Sequence, residues 1–192
     1  MITACIVSTG TELLLGDTVD TNSYYLARRL TALGIRVMGI NVVGDDREML
    51  QRAFKNALEC ADIVVSSGGM GPTLDDLSRE AACTVLRVPL QLNQDELLRI
   101  QKYFELRGRK MPEINRKQAM FPPGAVILPN PKGTAAGFWI EKDGKTVILL
   151  PGPPREMEPM FEENVEPRLQ GMVGITKNIA VYRIVKTMGL GE

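Results

Sequence analysis

The chain has 192 residues, and 23 lysine and arginine residues balance 23 aspartate and glutamate residues, so the formal net charge is zero. This length suits one α/β domain with a full core, and the neutral balance gives no general attraction to nucleic acid or to an anionic membrane. The sequence has no apolar run of about 18 residues and no basic leader, so it predicts neither a membrane span nor a signal peptide. We therefore expect a cytoplasmic protein.

The cysteine and histidine content limits the chemistry. Cys5, Cys60 and Cys83 are far apart, no C-x-x-C pair occurs, and the chain has no histidine. A zinc site of the usual kind and a Ser-His or Cys-His catalytic pair are therefore excluded. We expect reduced, mostly buried thiols, and any catalysis must use carboxylates, metal ions, lysine, tyrosine or backbone dipoles.

The first half of the chain alternates between strand and helix patterns. Apolar β-branched runs at residues 2–7, 35–43 and 63–65 predict strands, and apolar residues at three- and four-residue intervals predict helices over 24–33 and 49–58. Such β-α-β alternation is typical of a mostly parallel sheet with helices on both faces, in which ligands bind at the carboxyl ends of the strands.

The second half is less regular. Residues 95–106 and 113–120 have helical patterns, 107–110 is a basic loop, and strands are predicted at 125–128, 137–141 and 146–150. The last two strands flank an Asp143-Gly144 pair, which is a hairpin turn signal. The sequence therefore predicts a three-layer α/β/α fold whose mostly parallel sheet has an antiparallel edge.

A boundary is predicted near residue 170. Residues 155–169 have a helical pattern, which Gly171 and Gly174 interrupt, and 177–187 have strand character. We expect one domain over 1–170, with 171–192 forming a linker or the start of a truncated following domain in a longer protein.

A glycine-rich turn follows the strand at 63–65 directly. Gly68, Gly69 and Gly71 can expose backbone N–H groups to an anion, and a helix that begins near Asp76 would direct its own N–H groups into the same space. The alternative is an ordinary strand-to-helix turn in which Asp76 only caps a helix over 77–86.

Four motifs together resemble a known family. They lie at residues 10–16 with Asp20-Thr21-Asn22, at 67–76, at 130–137 and at 150–157. In this order they resemble the amino-terminal domain of competence-damage-inducible protein A (CinA) over residues 1–170. More distantly they are similar to the molybdopterin-binding proteins of molybdenum cofactor synthesis (MoaB/Mog) and to the hydrolase domain of eukaryotic FAD synthase.

The resemblance implies a molybdopterin-binding-domain-like α/β/α fold, a pocket for a phosphorylated pterin- or nucleotide-like ligand, and ADP-ribose pyrophosphatase activity in this branch. Full-length relatives usually carry a further amidohydrolase-like domain, whose activity should not be assigned to this chain. The 67–76 motif departs from the family pattern at Met70, and Ser78 stands where threonine is common, but neither change removes a charged group.

Acidic residues after two separate strands are the predicted catalytic groups. Asp76 and Asp45 are expected to hold a divalent metal ion or position water, with Asp75 beside them. The alternative for Asp76 and for Asp45 is a helix N-cap without chemistry.

The predicted ligand-binding residues come from the same motifs. Arg155 could make bidentate contacts to a diphosphate or pair with Glu158 or Glu162, and Asn22 could contact ligand or cap its helix. The full set is Ser8, Gly10, Thr11, Glu12, Asn22, Gly68, Gly69, Gly71, Pro72, Thr73, Gly133, Thr134, Pro151, Gly152, Pro153 and Arg155.

Three functional hypotheses follow. The first is a metal-dependent hydrolase of a nucleotide diphosphate such as ADP-ribose, with a divalent metal ion as cofactor. The second is a molybdopterin-binding domain without hydrolase activity, and the third is a regulatory or oligomerisation module with a vestigial pocket. The expected partner is a small phosphorylated ligand, with no nucleic acid and no membrane, and by resemblance the chain forms a homo-oligomer.

Overall fold

The computed structural model describes residues 1–174, and they form a six-stranded sheet and a separate two-stranded one. The large sheet has the order β2-β1-β3-β8-β7-β6, and β4 pairs with β5. The strands are β1 (Thr3–Thr9), β2 (Arg36–Val43), β3 (Ile63–Ser67), β4 (Gln91–Leu92), β5 (Met120–Phe121), β6 (Val126–Leu128), β7 (Gly137–Lys142) and β8 (Lys145–Leu150).

Helices cover both faces of the large sheet. They are α1 (Thr11–Leu15), α2 (Thr21–Ala32), α3 (Arg47–Cys60), α4 (Ser78–Leu86), α5 (Gln94–Glu105), α6 (Pro154–Met160) and α7 (Glu166–Val173), with a 3-10 helix at Glu113–Ala119 and a π-helical turn at Phe161–Val165. None of these helices within residues 1–174 combines the length and the hydropathy that a membrane crossing needs.

Alternation along β1 divides the core into two layers. Ala4 and Ile6 pack with α2, α6 and α7 on one face, while Cys5 and Val7 pack with α3 and α4 on the other. Successive strand side chains point to opposite faces, so a strand that is apolar at every position has to be covered on both. The predicted three-layer α/β/α architecture is therefore confirmed.

The antiparallel edge predicted from the sequence is also confirmed. Strands β2, β1, β3 and β8 are parallel, whereas β7 runs antiparallel to both β8 and β6. Asp143 and Gly144 have φ values of 51° and 74° in the β7–β8 turn, the positive pair that a two-residue hairpin turn requires.

The carboxyl-terminal region differs from the sequence prediction in one respect. Gly171 does not interrupt the helix, since α7 continues to Val173 and ends at Gly174, whose φ is 73°. A helix tolerates a single glycine when neighbouring residues such as Leu169 are buried. The predicted boundary near residue 170 stays a prediction, and the predicted strand at 177–187 lies outside the described residues.

Candidate functional site

A pocket of about 520 Å³ opens at the carboxyl ends of β1, β2, β3 and β8. This is the edge at which open α/β sheets bind ligands, and the volume is ordinary for a small-molecule site. Sixteen of the predicted site residues line it: Gly10, Glu12, Asp45, Gly68, Gly69, Gly71, Pro72, Thr73, Asp75, Asp76, Gly133, Thr134, Pro151, Gly152, Pro153 and Arg155.

The glycine loop after β3 packs tightly against its neighbours. Gly68 has a φ of 100°, and a Cβ there would lie 2.3 Å from the carbonyl oxygen of Thr9. Gly69 has a φ of 62°, and a Cβ there would lie 2.3 Å from Oγ of Ser78. Both positions need glycine because of positive φ and close approach, so the loop is held between the end of β1 and the start of α4.

Asp76 closes this loop and does not cap α4. Its carboxylate accepts hydrogen bonds from the N–H of Gly71 (2.9 Å) and from the N–H (2.8 Å) and hydroxyl (2.6 Å) of Thr73. Helix α4 begins at Ser78, its N-cap is Leu77, and no side chain caps it. The N-cap alternative for Asp76 is therefore wrong, because the carboxylate is engaged by donors on the loop, although the helix does begin near Asp76 as predicted.

Lys117 supports the same loop from outside the pocket. Its Nζ donates to the carbonyl oxygens of Thr73 (2.9 Å) and Asp76 (2.7 Å) and lies 3.5 Å from a carboxylate oxygen of Glu80. Sequence reasoning missed this residue, because it lies on the 3-10 helix, 44 and 41 positions along the chain from the two residues it contacts.

Arg79 is a second, buried cation, and it contacts the backbone of Lys117. Its guanidinium donates to the carbonyl oxygens of Lys117 (2.7 Å) and Ala136 (3.2 Å) and lies 4.8 Å from the ring centroid of Phe121. Burial lowers the pKa of Arg79 to about 10, with nearby Glu80 opposing the shift. The group therefore remains cationic at neutral pH.

Asp45 is fixed by the first loop. Its Oδ2 accepts hydrogen bonds from the N–H (3.0 Å) and hydroxyl (2.7 Å) of Thr11, so Thr11 positions Asp45 and does not itself line the pocket. The residue that caps α3 is Asp46, which accepts from the N–H of Met49 at 2.8 Å. The N-cap alternative for Asp45 is therefore wrong, and within residues 1–174 its Oδ1 has no protein donor.

Ser8 and Asn22 do not line the pocket. Asp20 caps α2, so the N-cap alternative for Asn22 is wrong. The amide of Asn22 donates to Oγ of Ser67 and to the carbonyl oxygen of Gly152, both at 2.7 Å, and so supports the pocket wall. Oγ of Ser8 is buried and lies 2.6 Å from Oγ of Ser23.

Arg155 lines the pocket from the first turn of α6. Its side chain is 80% exposed, and its Nε lies 3.9 Å from Glu156. The predicted ion pair with Glu158 or Glu162 is wrong, since the neighbouring residue is the acidic partner. An exposed guanidinium at a pocket rim is available to a ligand, because an exposed ion pair of this length adds little stability.

The charges of the pocket are unequal. Five carboxylates and two cationic side chains line it, namely Glu12, Asp45, Asp75, Asp76 and Glu156 against Lys132 and Arg155. Such a pocket repels a phosphorylated ligand unless a cation accompanies the ligand. Within residues 1–174 no three acidic or cysteine side chains group as a complete metal-binding set.

Eight further residues line the pocket outside the predicted set. The motifs at 130–137 and 150–157 could have indicated Lys132, Ala135 and Glu156, which they contain. No sequence signal marks Tyr103 and Phe104 on α5 as pocket residues, because the helix has an ordinary amphipathic pattern. The eight are Thr9, Met70, Tyr103, Phe104, Gln118, Lys132, Ala135 and Glu156.

Comparison with known proteins supports the relationship that the motifs indicate. Residues 5–171 match the family described as "Probable molybdopterin binding domain". A CinA-like protein of Syntrophomonas wolfei is 52% identical over 192 residues, which are 100% of this chain and 46% of that protein. The chain thus spans less than half the length of this curated relative.

Solved structures agree with the fold. The structure of CinA from Thermoplasma acidophilum, described as of unknown function, matches with a TM-score of 0.81 and 37% identity, covering 87% of this chain and 98% of that one. A molybdopterin biosynthesis protein from Mycobacterium abscessus matches with a TM-score of 0.60 and 20% identity over 90% and 94% of the two chains, which shows the fold alone. The chain therefore belongs to the molybdopterin-binding domain family and is CinA-like.

Proposed function

We propose that the pocket binds a nucleotide diphosphate such as ADP-ribose and hydrolyses its diphosphate with the help of a divalent metal ion. The observation that carries this proposal is that Asp45 and the glycine loop closed by Asp76 line one pocket, at the carboxyl ends of β2 and β3, the two parallel strands that flank β1. A loop that presents N–H groups suits a phosphate, and a carboxylate beside it suits water or metal.

Two aromatic residues support a ligand with a flat ring. Tyr103 and Phe104 line the pocket from α5, with ring centroids 5.9 Å apart. Aromatic surface of this kind favours a nucleobase or a pterin over a ligand without a ring.

The reaction needs a water molecule held in line with one phosphorus atom. Water adds to that phosphorus, the bond from it to the bridging oxygen breaks, and the products are AMP and ribose 5-phosphate. Oδ1 of Asp45 is the group best placed to orient the water and accept its proton, because Thr11 occupies only Oδ2. Asp76 also holds the loop in its folded shape. Because it engages the N–H groups of Gly71 and Thr73, a phosphate would bind at other N–H groups of the loop.

The acidic residues fit a metal ion that is shared with the ligand. Mg²⁺ is commonly held by one or two carboxylates together with substrate phosphates and water, so a complete protein cage is not required. Asp45 and Asp76 would hold the metal ion, and Asp75 and Glu12 also line the pocket. A bound metal ion would neutralise charge on the diphosphate.

The direct test is release of AMP from ADP-ribose, measured with Mg²⁺, Mn²⁺, Co²⁺ or a chelator. The wild-type chain should release AMP only with metal, and Asp45→Asn and Asp76→Ala should each lower the rate by a factor of about 100 or more. Asp46→Asn is the matched control, because it changes the adjacent carboxylate but keeps a capping side chain. Equal rates in Asp45→Asn and wild type would contradict the proposal.

The second candidate is a molybdopterin-binding domain without hydrolase activity. Membership of the molybdopterin-binding family supports it. It predicts saturable binding of molybdopterin and no release of AMP under any metal condition. The homo-oligomer and the cytoplasmic location expected from the sequence stay predictions.

A further inference from the structure

The loop between Asn130 and Ala135 lines the same pocket as the glycine loop, and its carbonyl oxygens accept hydrogen bonds from side chains that do not line that pocket. Arg99 donates to the carbonyl oxygens of Asn130 (3.1 Å), Gly133 (3.2 Å) and Thr134 (2.8 Å). The buried amide of Asn130 donates to the carbonyl oxygen of Ala135 at 3.0 Å. Three successive carbonyl groups, at residues 133, 134 and 135, therefore point toward Arg99 and Asn130.

The direction of these carbonyl groups fixes the direction of the N–H groups. The described chain has no cis peptide bond, and in a trans peptide the C=O and the following N–H point in opposite directions. The N–H groups of Thr134 and Ala135 therefore point away from Arg99. Gly133, Thr134 and Ala135 line the main pocket, whereas Arg99 lines a different one, so the loop separates Arg99 from the ligand space.

These N–H groups are available to a ligand. Within residues 1–174, neither the N–H of Thr134 nor that of Ala135 has a protein acceptor. Two cationic side chains line the pocket: Lys132, which belongs to this loop, and Arg155, which precedes Glu156 in the chain. The carboxylate of Glu156 is also here, and its Oε2 is engaged by the amide of Asn130 at 2.8 Å.

The loop cannot easily adopt another shape. A Cβ at Gly133 would lie 2.3 Å from Glu156 and 2.9 Å from Asn130, so the backbone packs directly on those side chains. Arg99 is itself held at 2.7 Å by Glu96, whose N–H donates to the capping side chain of Asn93. The orientation of the N–H groups is therefore set before a ligand arrives.

We propose that the N–H groups of Thr134 and Ala135, with Lys132 and Arg155, form a second phosphate subsite that Arg99 positions, so that the pocket takes a diphosphate bridged between this loop and the glycine loop. This inference rests on the proposed function and deepens it: the preferred ligand carries two linked phosphates, one for each loop. Arg99 is a positioning residue, because it acts through the backbone of the loop and does not contact the ligand.

The experiment compares one-phosphate and two-phosphate probes in two variants that each loosen one loop. Arg99→Met releases the loop at 130–135, and Lys117→Met releases the loop at 71–76. Lys102→Met is the matched control, because Lys102 is an exposed cation on the same helix as Arg99 and does not line the pocket. Calorimetry with Mg²⁺ measures the Kd for AMP, for inorganic pyrophosphate and for ADP-ribose. ADP-ribose is supplied as the analogue whose bridging oxygen is replaced by a methylene group, so that it is not hydrolysed during the titration.

We expect each of the two loop variants to raise the Kd for ADP-ribose and for pyrophosphate by about tenfold or more. This is the effect expected from the loss of charge-assisted hydrogen bonds to one phosphate. AMP needs only one subsite, so its Kd should rise in one of the two variants and stay unchanged in the other. Arg99→Lys should recover part of the affinity for the two-phosphate probes, and Lys102→Met should match wild type for all three.

Two outcomes would overturn the second subsite. One is an Arg99→Met variant that binds ADP-ribose and pyrophosphate within twofold of wild type, with twofold taken as about the error of the comparison. The other is an equal loss of affinity for AMP and for the two-phosphate probes in both variants, because general damage to the pocket explains that result without a second subsite. If wild type binds pyrophosphate but not ADP-ribose, the proposed function fails, and the pyrophosphate data still decide whether the second subsite exists. If wild type binds neither ligand, the proposed function and the second subsite are both overturned.

Discussion

The side-chain amide of Asn22 donates a hydrogen bond of 2.7 Å to the carbonyl oxygen of Gly152, which is 130 residues further along the chain. The same amide also donates to Oγ of Ser67 at 2.7 Å. One side chain on α2 thus joins the end of β3 to the turn after β8. The pocket wall formed by Gly152 depends on this bridge.

Replacing Asn22 tests that dependence. We expect Asn22→Ala to lower the free energy of unfolding by about 1–3 kcal/mol, because two hydrogen bonds are lost in a partly buried site. Under the proposed function, the KM for ADP-ribose should rise as the wall at Gly152 loosens. Asn164→Ala is the control, since its amide makes a single long bond of 3.4 Å to Met160, and it should change neither quantity. Urea denaturation and steady-state kinetics measure the two effects.

Asp45 and Asp46 should separate chemistry from stability. Asp46→Ala removes the cap of α3 and should cost about 1 kcal/mol of stability with little effect on AMP release. Asp45→Asn should have the reverse profile, with a large loss of activity and little change in stability, because its amide oxygen can still accept the hydrogen bonds from Thr11. Thermal unfolding and the hydrolysis assay on both variants check this, and loss of activity in Asp46→Ala at unchanged stability would contradict it.

Two glycines with positive φ should respond differently to alanine. Gly68→Ala should destabilise the chain by more than about 2 kcal/mol, because a Cβ would lie 2.3 Å from the backbone oxygen of Thr9. Gly108→Ala, at a φ of 66° with no atom within 4 Å, should cost only about 1 kcal/mol. Equal losses in urea denaturation would show that backbone strain alone, and not the close approach to Thr9, requires glycine at position 68.

The thiols should react selectively. Burial raises the pKa of Cys83 to about 12 and also raises the pKa of Cys5, so both remain neutral thiols at pH 8, whereas Cys60 is exposed. A raised pKa means that the reactive thiolate of the buried pair forms only at higher pH. We expect a thiol reagent at pH 8 to modify one cysteine per native chain and none in Cys60→Ser. Denaturant should expose all three in wild type, and rapid modification of Cys83 in the native chain would contradict the burial.

Part of the site was predictable because its signals are local. The run at 63–76 predicted a strand, a turn and an acid at nearly the observed positions, since β-branched residues and glycines act on the backbone where they stand. The roles of the acids were not predictable in this way. Asp45 and Asp46 are adjacent and chemically identical, and only their neighbours make one a helix cap and the other a pocket residue held by Thr11.

The sequence by itself determined the α/β/α class, the six strands of the large sheet in chain order, the hairpin at Asp143-Gly144 and the loops that meet in the pocket, because propensity and hydrophobic period operate over short distances. It did not predict the short elements α1, β4 and β5. Only the tertiary structure decided how those loops are held. Arg99 and Lys117 bind carbonyl oxygens more than thirty residues away, at separations of 31–35 and 41–44 positions. Any exposed lysine or arginine has the same local pattern, so their partners are set by packing across the whole domain.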